Sequence, residues 1–186
     1  SDTLAMCYST VKVILATLAH ILVSEGLLDY DKPIAHYWPE FSQNGKANIT
    51  LRHVLSHQSG LFDIRNVIDT ATEMLDWSHM LELMAAAAPR FAAGQSFAYQ
   101  PLTYGWLIGG VIDKAAKQPL SWLMQRYLVQ PLGLDGAYFG VPASELDRVA
   151  RLLEKPKKSS APKPQVKKTD QPRKVSLSEK LLELSG

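Results

Sequence analysis

The segment from Ser9 to Glu25 restricts the fold more than any other part of the chain. Its apolar side chains cover most of the circumference of a helix, and they are Val11, Val13, Ile14, Leu15, Leu18, Ile21, Leu22 and Val23. A helix that is apolar all round is buried inside a domain. We therefore expect this segment to be a largely buried helix, closed at its C-terminal end by Gly26.

The remainder of the body is also predicted to be helical, so we expect a mainly α chain. Apolar spacing and capping residues indicate helices at 51–57, 69–88, 103–117, 120–129 and 144–154. Thr50 is the predicted N-cap of the first of these. Only the segment 136–141, with its Ala-Tyr-Phe run, is predicted to be a strand.

Charge divides the chain into three segments. Residues 1–154 carry a net charge of −4 and all of the aromatic residues, so we assign them to one folded domain. Residues 155–174 carry a net charge of +7 and four prolines, and we expect a disordered basic tail. Without interleaved aromatic residues, this tail is not predicted to bind nucleic acid. The leucines within 175–186 indicate a short helix.

The chain shows no sequence signal for a membrane span or a leader peptide. No apolar run reaches the roughly 20 residues that cross a bilayer, and the first residues lack a basic head and a cleavage site. We therefore expect a soluble protein, with the cytoplasm as the favoured location and the oligomeric state left open. Cys7 is the single cysteine, and we predict it to be a small buried residue rather than a reactive thiol.

The tetrapeptide Ser9-Thr-Val-Lys12 is the strongest chemical feature of the sequence. Residues three apart share one face of a helix with Cβ atoms about 5–6 Å apart, so Lys12 can reach the Ser9 hydroxyl. Amide N–H groups at a helix N-terminus favour negative charge on oxygen. If apolar neighbours disfavour the charged form of Lys12, its amine can take the Ser9 proton. The structural alternative is a solvated N-cap serine followed by a surface lysine.

Further motifs follow this tetrapeptide, and together they resemble the penicillin-recognising serine hydrolases. They are Ser24 to Pro33, Tyr37 to Phe41, Ile49 to His57, Ser59-Gly-Leu61, Phe97-Ala-Tyr99, Thr103 to Leu107 and Pro131-Leu-Gly-Leu134. The closest likeness is to class C β-lactamase-like esterases and related β-lactamase-domain proteins. The resemblance implies the helical portion of the α/β β-lactamase/transpeptidase-like fold, with most of the sheet missing and the domain truncated at both ends.

The resemblance also implies a mechanism and three site residues. In that family the motif serine is acylated by an ester or β-lactam carbonyl, the lysine assists proton transfer, and a tyrosine from a later loop shuttles the proton. These roles fall on Ser9, Lys12 and Tyr99, with a small ester or amide as substrate and with no metal or organic cofactor. Positive charge on Lys12 would stabilise a Tyr99 phenolate. Tyr104 is the second candidate for the phenol.

The sequence departs from the family pattern in two places. The tyrosine loop reads Tyr99-Gln100-Pro101 where the family usually has Tyr-x-Asn, and Pro101 offers no N–H donor. The family completes its site with a Lys-Thr-Gly strand, whereas Lys168-Thr-Asp170 lacks the glycine and lies between prolines. Two hypotheses therefore stay open: a serine hydrolase that works through acyl-Ser9, and a non-catalytic scaffold that acts as a binding module.

Other candidate sites carry weaker signals. His53 and His57 have a spacing that can bind zinc on a helix, but no third ligand is evident. His57 and Ser59 lack the nucleophile elbow of a Ser/His hydrolase. A methionine-rich group around Trp77 is interpreted as core or lid surface. Three glycines inside one predicted helix are interpreted as close-packing positions and not as a phosphate loop: Gly105, Gly109 and Gly110.

Overall fold

The computed structural model describes residues 2–153, and this part of the chain is helical. Its α-helices are α1 (Val11–Ser24), α2 (Leu51–Leu55), α3 (Trp77–Ala86), α4 (Thr103–Ala116), α5 (Leu120–Met124) and α6 (Gln130–Leu132). Its 3₁₀ helices are Tyr8–Thr10, Ile34–His36, Pro39–Ser42, Ile64–Asn66, Ala71–Leu75 and Ala143–Arg148. A π-helical segment, Gln125–Val129, joins α5 to α6. Within these residues there is no β-strand, so the mainly α prediction is confirmed for them.

The chain divides into two compact units, Ser1–Ala150 and Arg151–Gly186. All of the described helices belong to the first unit. Of the second unit, residues 151–153 are described, and they lie in no helix or strand. The predicted basic tail at 155–174, the short helix at 175–186 and Lys168-Thr-Asp170 all lie outside the described residues. No helix between residues 2 and 153 combines the length and the apolarity that a membrane crossing requires.

Helix α4 is the centre of the first unit, because it packs against α1, α2 and α3. Its fully buried side chains are Leu107, Ile108, Val111 and Ile112. A Cβ atom at Gly109 would lie 2.7 Å from the Trp77 ring, and one at Gly110 would lie 2.8 Å from the Trp38 ring. The close-packing interpretation of these two glycines is therefore confirmed. Gly105 differs, because a Cβ atom there would have no neighbour within 4 Å.

Helix α1 buries one face rather than its whole circumference. Leu15, Leu18 and Leu22 lie in the core, whereas the side chain of Val13 is 67% exposed. The expectation of a largely buried helix is therefore wrong for this part of the chain. The helix packs against α4 and the π-helical segment, and Val13 stays outside these contacts. Gly26 follows the helix with φ +74°, as its predicted closing role requires.

The predicted helix over 69–88 is divided at Asp76. A 3₁₀ helix precedes this residue and α3 follows it, because Asp76 has extended backbone and its carboxylate accepts a hydrogen bond from the N–H of His79 at 3.0 Å. The helix ends at Ala86, three residues before Pro89. Met80 and Met84 on α3 are fully buried, as the core interpretation of the methionine group predicts.

The two predictions for residues 136–154 are wrong. Gly136 and Gly140 have φ values of +88° and +82°, and this left-handed backbone interrupts the extended conformation that a strand over 136–141 needs. The predicted helix over 144–154 is a 3₁₀ helix that ends at Arg148. Beyond it, Leu4 and Val149 form an isolated parallel bridge, which holds Val149 in an extended conformation.

Candidate active site

Ser9 lies where the 3₁₀ turn Tyr8–Thr10 runs into α1. Its Oγ accepts two hydrogen bonds, one from Nζ of Lys12 at 3.1 Å and one from the hydroxyl of Tyr99 at 3.0 Å. Lys12 reaches this oxygen because residues three apart lie on the same side of a helix. The three residues singled out in the sequence are thus brought together around one oxygen atom.

Lys12 is half-buried and makes a second hydrogen bond across the site. Its Nζ donates to the carbonyl oxygen of Pro101 at 2.8 Å, and it lies 5.3 Å from the centre of the Tyr99 ring. Sequence reasoning considered only the missing N–H of Pro101. Proline retains its carbonyl acceptor, and this acceptor holds the ammonium group between α1 and the tyrosine loop.

The two candidate phenols have opposite environments. The hydrogen bond to Ser9 lowers the pKa of Tyr99, and the hydrogen bond and charge of Lys12 lower it further. Burial raises the pKa of Tyr104, although Nζ of Lys12 lies 6.0 Å from the centre of its ring. The surroundings therefore favour Tyr99 over Tyr104 as the phenol that takes on negative charge.

His57 holds the tyrosine loop on both sides of Tyr99. Its carbonyl oxygen accepts from the N–H of Ala98 at 3.1 Å, and its Nδ1 accepts from the N–H of Gln100 at 3.2 Å. The rings of His57 and Tyr99 meet edge to face with centres 4.9 Å apart. Burial lowers the pKa of His57, which favours the neutral ring that Nδ1 needs in order to accept. Sequence reasoning missed this role, because only the fold brings the two segments together.

The other serine and histidine candidates are engaged elsewhere. Ser59 is fully buried, and its Oγ accepts from the N–H of Leu61 at 3.2 Å. His53 forms a capping box with Thr50, the predicted N-cap of α2. Its Nδ1 accepts from the N–H of Thr50 at 3.1 Å. Across residues 2–153, no group of three or more His, Cys, Asp or Glu side chains is placed to hold a metal ion.

The residues just before Ser9 lie at the surface. Cys7 is exposed, so the expectation of a buried thiol is wrong; its Sγ lies 3.5 Å from the carbonyl oxygen of Ala5. Tyr8 is 64% exposed and has φ +45°, an uncommon backbone conformation for a non-glycine residue. The chain changes direction at Tyr8 and enters the helical turn that carries Ser9, the candidate nucleophile.

The Ser9 oxygen accepts hydrogen bonds from an amine and from a phenol. This arrangement can activate a serine as the nucleophile that acyl-transfer enzymes require. A family model described as Beta-lactamase matches residues 1–173, and the chain belongs to this β-lactamase family. It is 39% identical over 154 residues to the protein named Esterase/beta-lactamase LipL of Mycobacterium tuberculosis (strain ATCC 25618 / H37Rv). The match covers 82% of this chain and 35% of that relative.

Two solved structures share the fold. A penicillin-binding protein homologue from Caulobacter crescentus matches with a TM-score of 0.76 and 40% identity over 83% of this chain and 41% of the other. A family VIII carboxylesterase matches with a TM-score of 0.77 and 35% identity over 82% of this chain and 42% of the other. The chain therefore has a β-lactamase/transpeptidase-like fold and spans about two fifths of the length of these proteins.

Proposed function

We propose that the chain carries the catalytic serine, lysine and tyrosine of a hydrolase that cleaves a small ester or amide through an acyl-Ser9 intermediate. The observation that carries this proposal is the pair of hydrogen bonds from Lys12 and Tyr99 to Oγ of Ser9. The names of the similar proteins, esterase, carboxylesterase and β-lactamase, support a carboxylic ester or amide as the substrate.

Acylation begins when the Tyr99 phenolate takes the Ser9 proton. The Oγ atom of Ser9 attacks the substrate carbonyl carbon, and the carbonyl electrons move onto its oxygen. When this tetrahedral intermediate collapses, the bond to the leaving group breaks and Tyr99 returns its proton to the departing oxygen or nitrogen. The acyl group remains bound to Ser9.

Deacylation repeats these steps with water as the nucleophile. Tyr99 takes a proton from the water, the resulting hydroxide attacks the acyl carbonyl, and Ser9 leaves with that proton restored. The ammonium group of Lys12 keeps Tyr99 anionic when its proton is away. The N-terminal end of α1, a helix of 14 residues, favours the negative charge that develops on the substrate oxygen.

A covalent probe tests the proposal directly. Wild-type protein incubated with a fluorophosphonate is expected to gain one probe mass on the peptide that contains Ser9, read by intact and tandem mass spectrometry. Ser9→Ala is expected to gain none. Ser42→Ala removes an exposed serine elsewhere and serves as the matched control, which is expected to label like the wild type.

The same experiment addresses the non-catalytic alternative. Circular dichroism first establishes that each variant is folded. An adduct on Ser9 that forms with wild type and Ser42→Ala supports the hydrolase. Folded wild-type protein that gains no adduct from a fluorophosphonate or from a penicillin-type probe would overturn it and leave the binding-module hypothesis in its place.

A further inference from the structure

A pocket of about 400 Å³ lies beside the residues that lead into α1. The segment from Leu4 to Tyr8 forms part of its lining, together with Ile14 of α1 and residues within 136–141. Met124 of α5 also lines it and is buried, whereas Val141 is 38% exposed. The pocket therefore extends from the surface of the first unit to buried side chains.

The lining of this pocket is apolar. Among the described residues that form it none is charged, and its polar side-chain groups are the hydroxyls of Tyr8 and Tyr138 and the thiol of Cys7. An ion would lose its hydration shell there and gain no counter-ion. Pockets of this size bind small organic molecules, and apolar cavities bind apolar ones. The pocket is therefore suited to a small, uncharged and mainly apolar molecule.

Tyr8 and Val11 connect this pocket to the candidate active site. Both residues also line a separate pocket of about 460 Å³, and Ser9 lies in the lining of that one. Tyr8 directly precedes Ser9, and Val11 follows it by two positions. A molecule in the 400 Å³ pocket can therefore contact the chain on both sides of the candidate nucleophile.

The backbone of Tyr8 makes this contact consequential. A φ of +45° is unfavourable for a bulky residue and persists where neighbouring contacts enforce it. Tyr8 is 64% exposed, so much of its side chain has no such contact. A molecule that packs against Tyr8 would supply contacts that favour this conformation. It would thereby increase the fraction of molecules that hold Ser9 beside Lys12 and Tyr99.

We propose that the pocket lined by Cys7 and Val141 binds a small uncharged apolar molecule, and that its occupancy raises the reactivity of Ser9 through Tyr8. The effect on Ser9 rests on the acyl-Ser9 mechanism proposed above, whereas the binding does not. The pocket would thus be a site for an effector, separate from the pocket that Ser9 lines.

Alkylation of Cys7 measures occupancy, because Cys7 lines this pocket and is the single cysteine of the chain. The uncharged probe is 1-naphthylmethanol, and 1-naphthoate is its charged counterpart. At a 1-naphthylmethanol concentration about ten times its Kd, the rate of alkylation by iodoacetamide is expected to fall about tenfold, since only the unoccupied form reacts. The same concentration of 1-naphthoate is expected to give no protection. Intact mass spectrometry follows both reactions.

Labelling of Ser9 by the fluorophosphonate measures the second effect. Saturating 1-naphthylmethanol is expected to raise its rate about twofold or more. Val141→Asp introduces a carboxylate at an exposed position of the lining and is expected to abolish both effects. Leu75→Asp introduces one at an exposed leucine outside the lining and is the control, which is expected to keep both effects.

Three results would overturn different parts of the proposal. Alkylation that 1-naphthylmethanol does not slow, or equal protection by 1-naphthoate or of folded Val141→Asp, would overturn the binding site. Protection of Cys7 with an unchanged rate of Ser9 labelling would overturn the coupling through Tyr8. Protection of Cys7 in a protein whose Ser9 never labels would instead overturn the acyl-Ser9 mechanism and leave the binding site standing.

Discussion

The hydroxyl of Tyr99 donates a 3.0 Å hydrogen bond to Oγ of Ser9, a residue 90 positions earlier in the chain. One end of this contact is fixed by the start of α1, and the other by a loop that His57 holds through two hydrogen bonds. The geometry of the site thus depends on three segments, and each can be perturbed separately.

Tyr99→Phe removes the phenol and keeps the ring. We expect the rate of Ser9 labelling to fall by about 10²–10⁴, the usual contribution of a general acid or base. Because the pKa of Tyr99 is lowered, the wild-type rate is expected to rise with pH and to level off below the pH at which an ordinary phenol loses its proton. Labelling rates followed by mass spectrometry between pH 5 and pH 10 measure both effects.

Tyr30→Phe is the matched control, because its hydroxyl bonds to His20. We expect this variant to keep the wild-type rate and pH profile. A Tyr99→Phe protein that labels as fast as the wild type, with the same dependence on pH, would remove Tyr99 from the mechanism.

His57 is predicted to act as a positioning residue. His57→Ala leaves the N–H of Gln100 without its acceptor, so we expect kcat for p-nitrophenyl acetate to fall about tenfold to a hundredfold with little change in KM. His57→Asn is expected to restore most of this loss, because the side-chain oxygen can replace Nδ1 and asparagine tolerates the φ of +60° at this position.

The dependence of kcat on pH separates this role from a general loss of stability. Protonated His57 cannot accept the Gln100 hydrogen bond, and burial holds its pKa below the ordinary 6.5. We therefore expect the wild type to lose activity below that lowered pKa through this group, and His57→Asn to lack this component. Equal activity of the alanine and asparagine variants would contradict the positioning role.

The part of the site that sequence patterns predicted best is the local part. Three-residue spacing was sufficient to place Lys12 beside Ser9, because the 3₁₀ turn that contains Ser9 runs directly into α1 and the contact depends only on local helical geometry. Tyr99 came from the family resemblance and not from spacing, since no local rule joins it to Ser9. The hydrogen bond from Lys12 to the Pro101 carbonyl, and the two hydrogen bonds from the tyrosine loop to His57, depend on the packing of distant segments. The sequence patterns therefore did not predict them.

The fold shows the same division. Capping and apolar periodicity predicted α2 and α4 to within about two residues, because these signals are local. The exposed side of α1 was not foreseen, since apolar periodicity does not say how many neighbours a helix will have. The strand over 136–141 was predicted from residue types alone, and the backbone of Gly136 and Gly140 excludes it.

Lys46 is expected to make stability depend on pH. It is fully buried, its Nζ donates to the carbonyl oxygens of Gln43 and Ala87, and burial lowers its pKa to about 8 from an ordinary 10.5. Between about pH 8 and pH 10.5, Lys46 is more often protonated in the unfolded chain than in the folded one. This group's contribution to the free energy of unfolding therefore rises with pH across that interval, by about 3 kcal/mol in total.

Urea unfolding of the wild type from pH 7 to pH 10.5 measures this rise. Lys46→Met removes the titrating group, and we expect the rise to be smaller in this variant by about 3 kcal/mol. Lys32→Met changes an exposed lysine and is expected to keep the wild-type slope. If the free energy of unfolding of Lys46→Met rises with pH as steeply as that of the wild type, the buried amine of Lys46 is not the cause of the rise.

Gly60→Ala is expected to be strongly destabilising. The residue has φ +76°, and a Cβ atom would lie 2.4 Å from the carbonyl oxygen of Phe91. Left-handed backbone alone costs about 1–2 kcal/mol for a non-glycine residue, and the clash adds to this, so we expect a loss of about 3 kcal/mol or more. Gly45→Ala has φ +81° and no contact within 4 Å, so it isolates the backbone cost. Equal losses in urea unfolding of the two variants would contradict the clash.

Under the proposed mechanism, the placement of Tyr99 and Lys12 around one Ser9 oxygen would make the reactivity of Ser9 toward a covalent probe a measure of native structure. A denatured chain keeps the Ser9-Thr-Val-Lys12 tetrapeptide but separates it from its phenol, so its serine becomes an ordinary alcohol. The amount of probe bound at saturation would therefore count the correctly folded molecules in a preparation. Loss of that signal on heating would report the melting of the junction between α1 and the tyrosine loop.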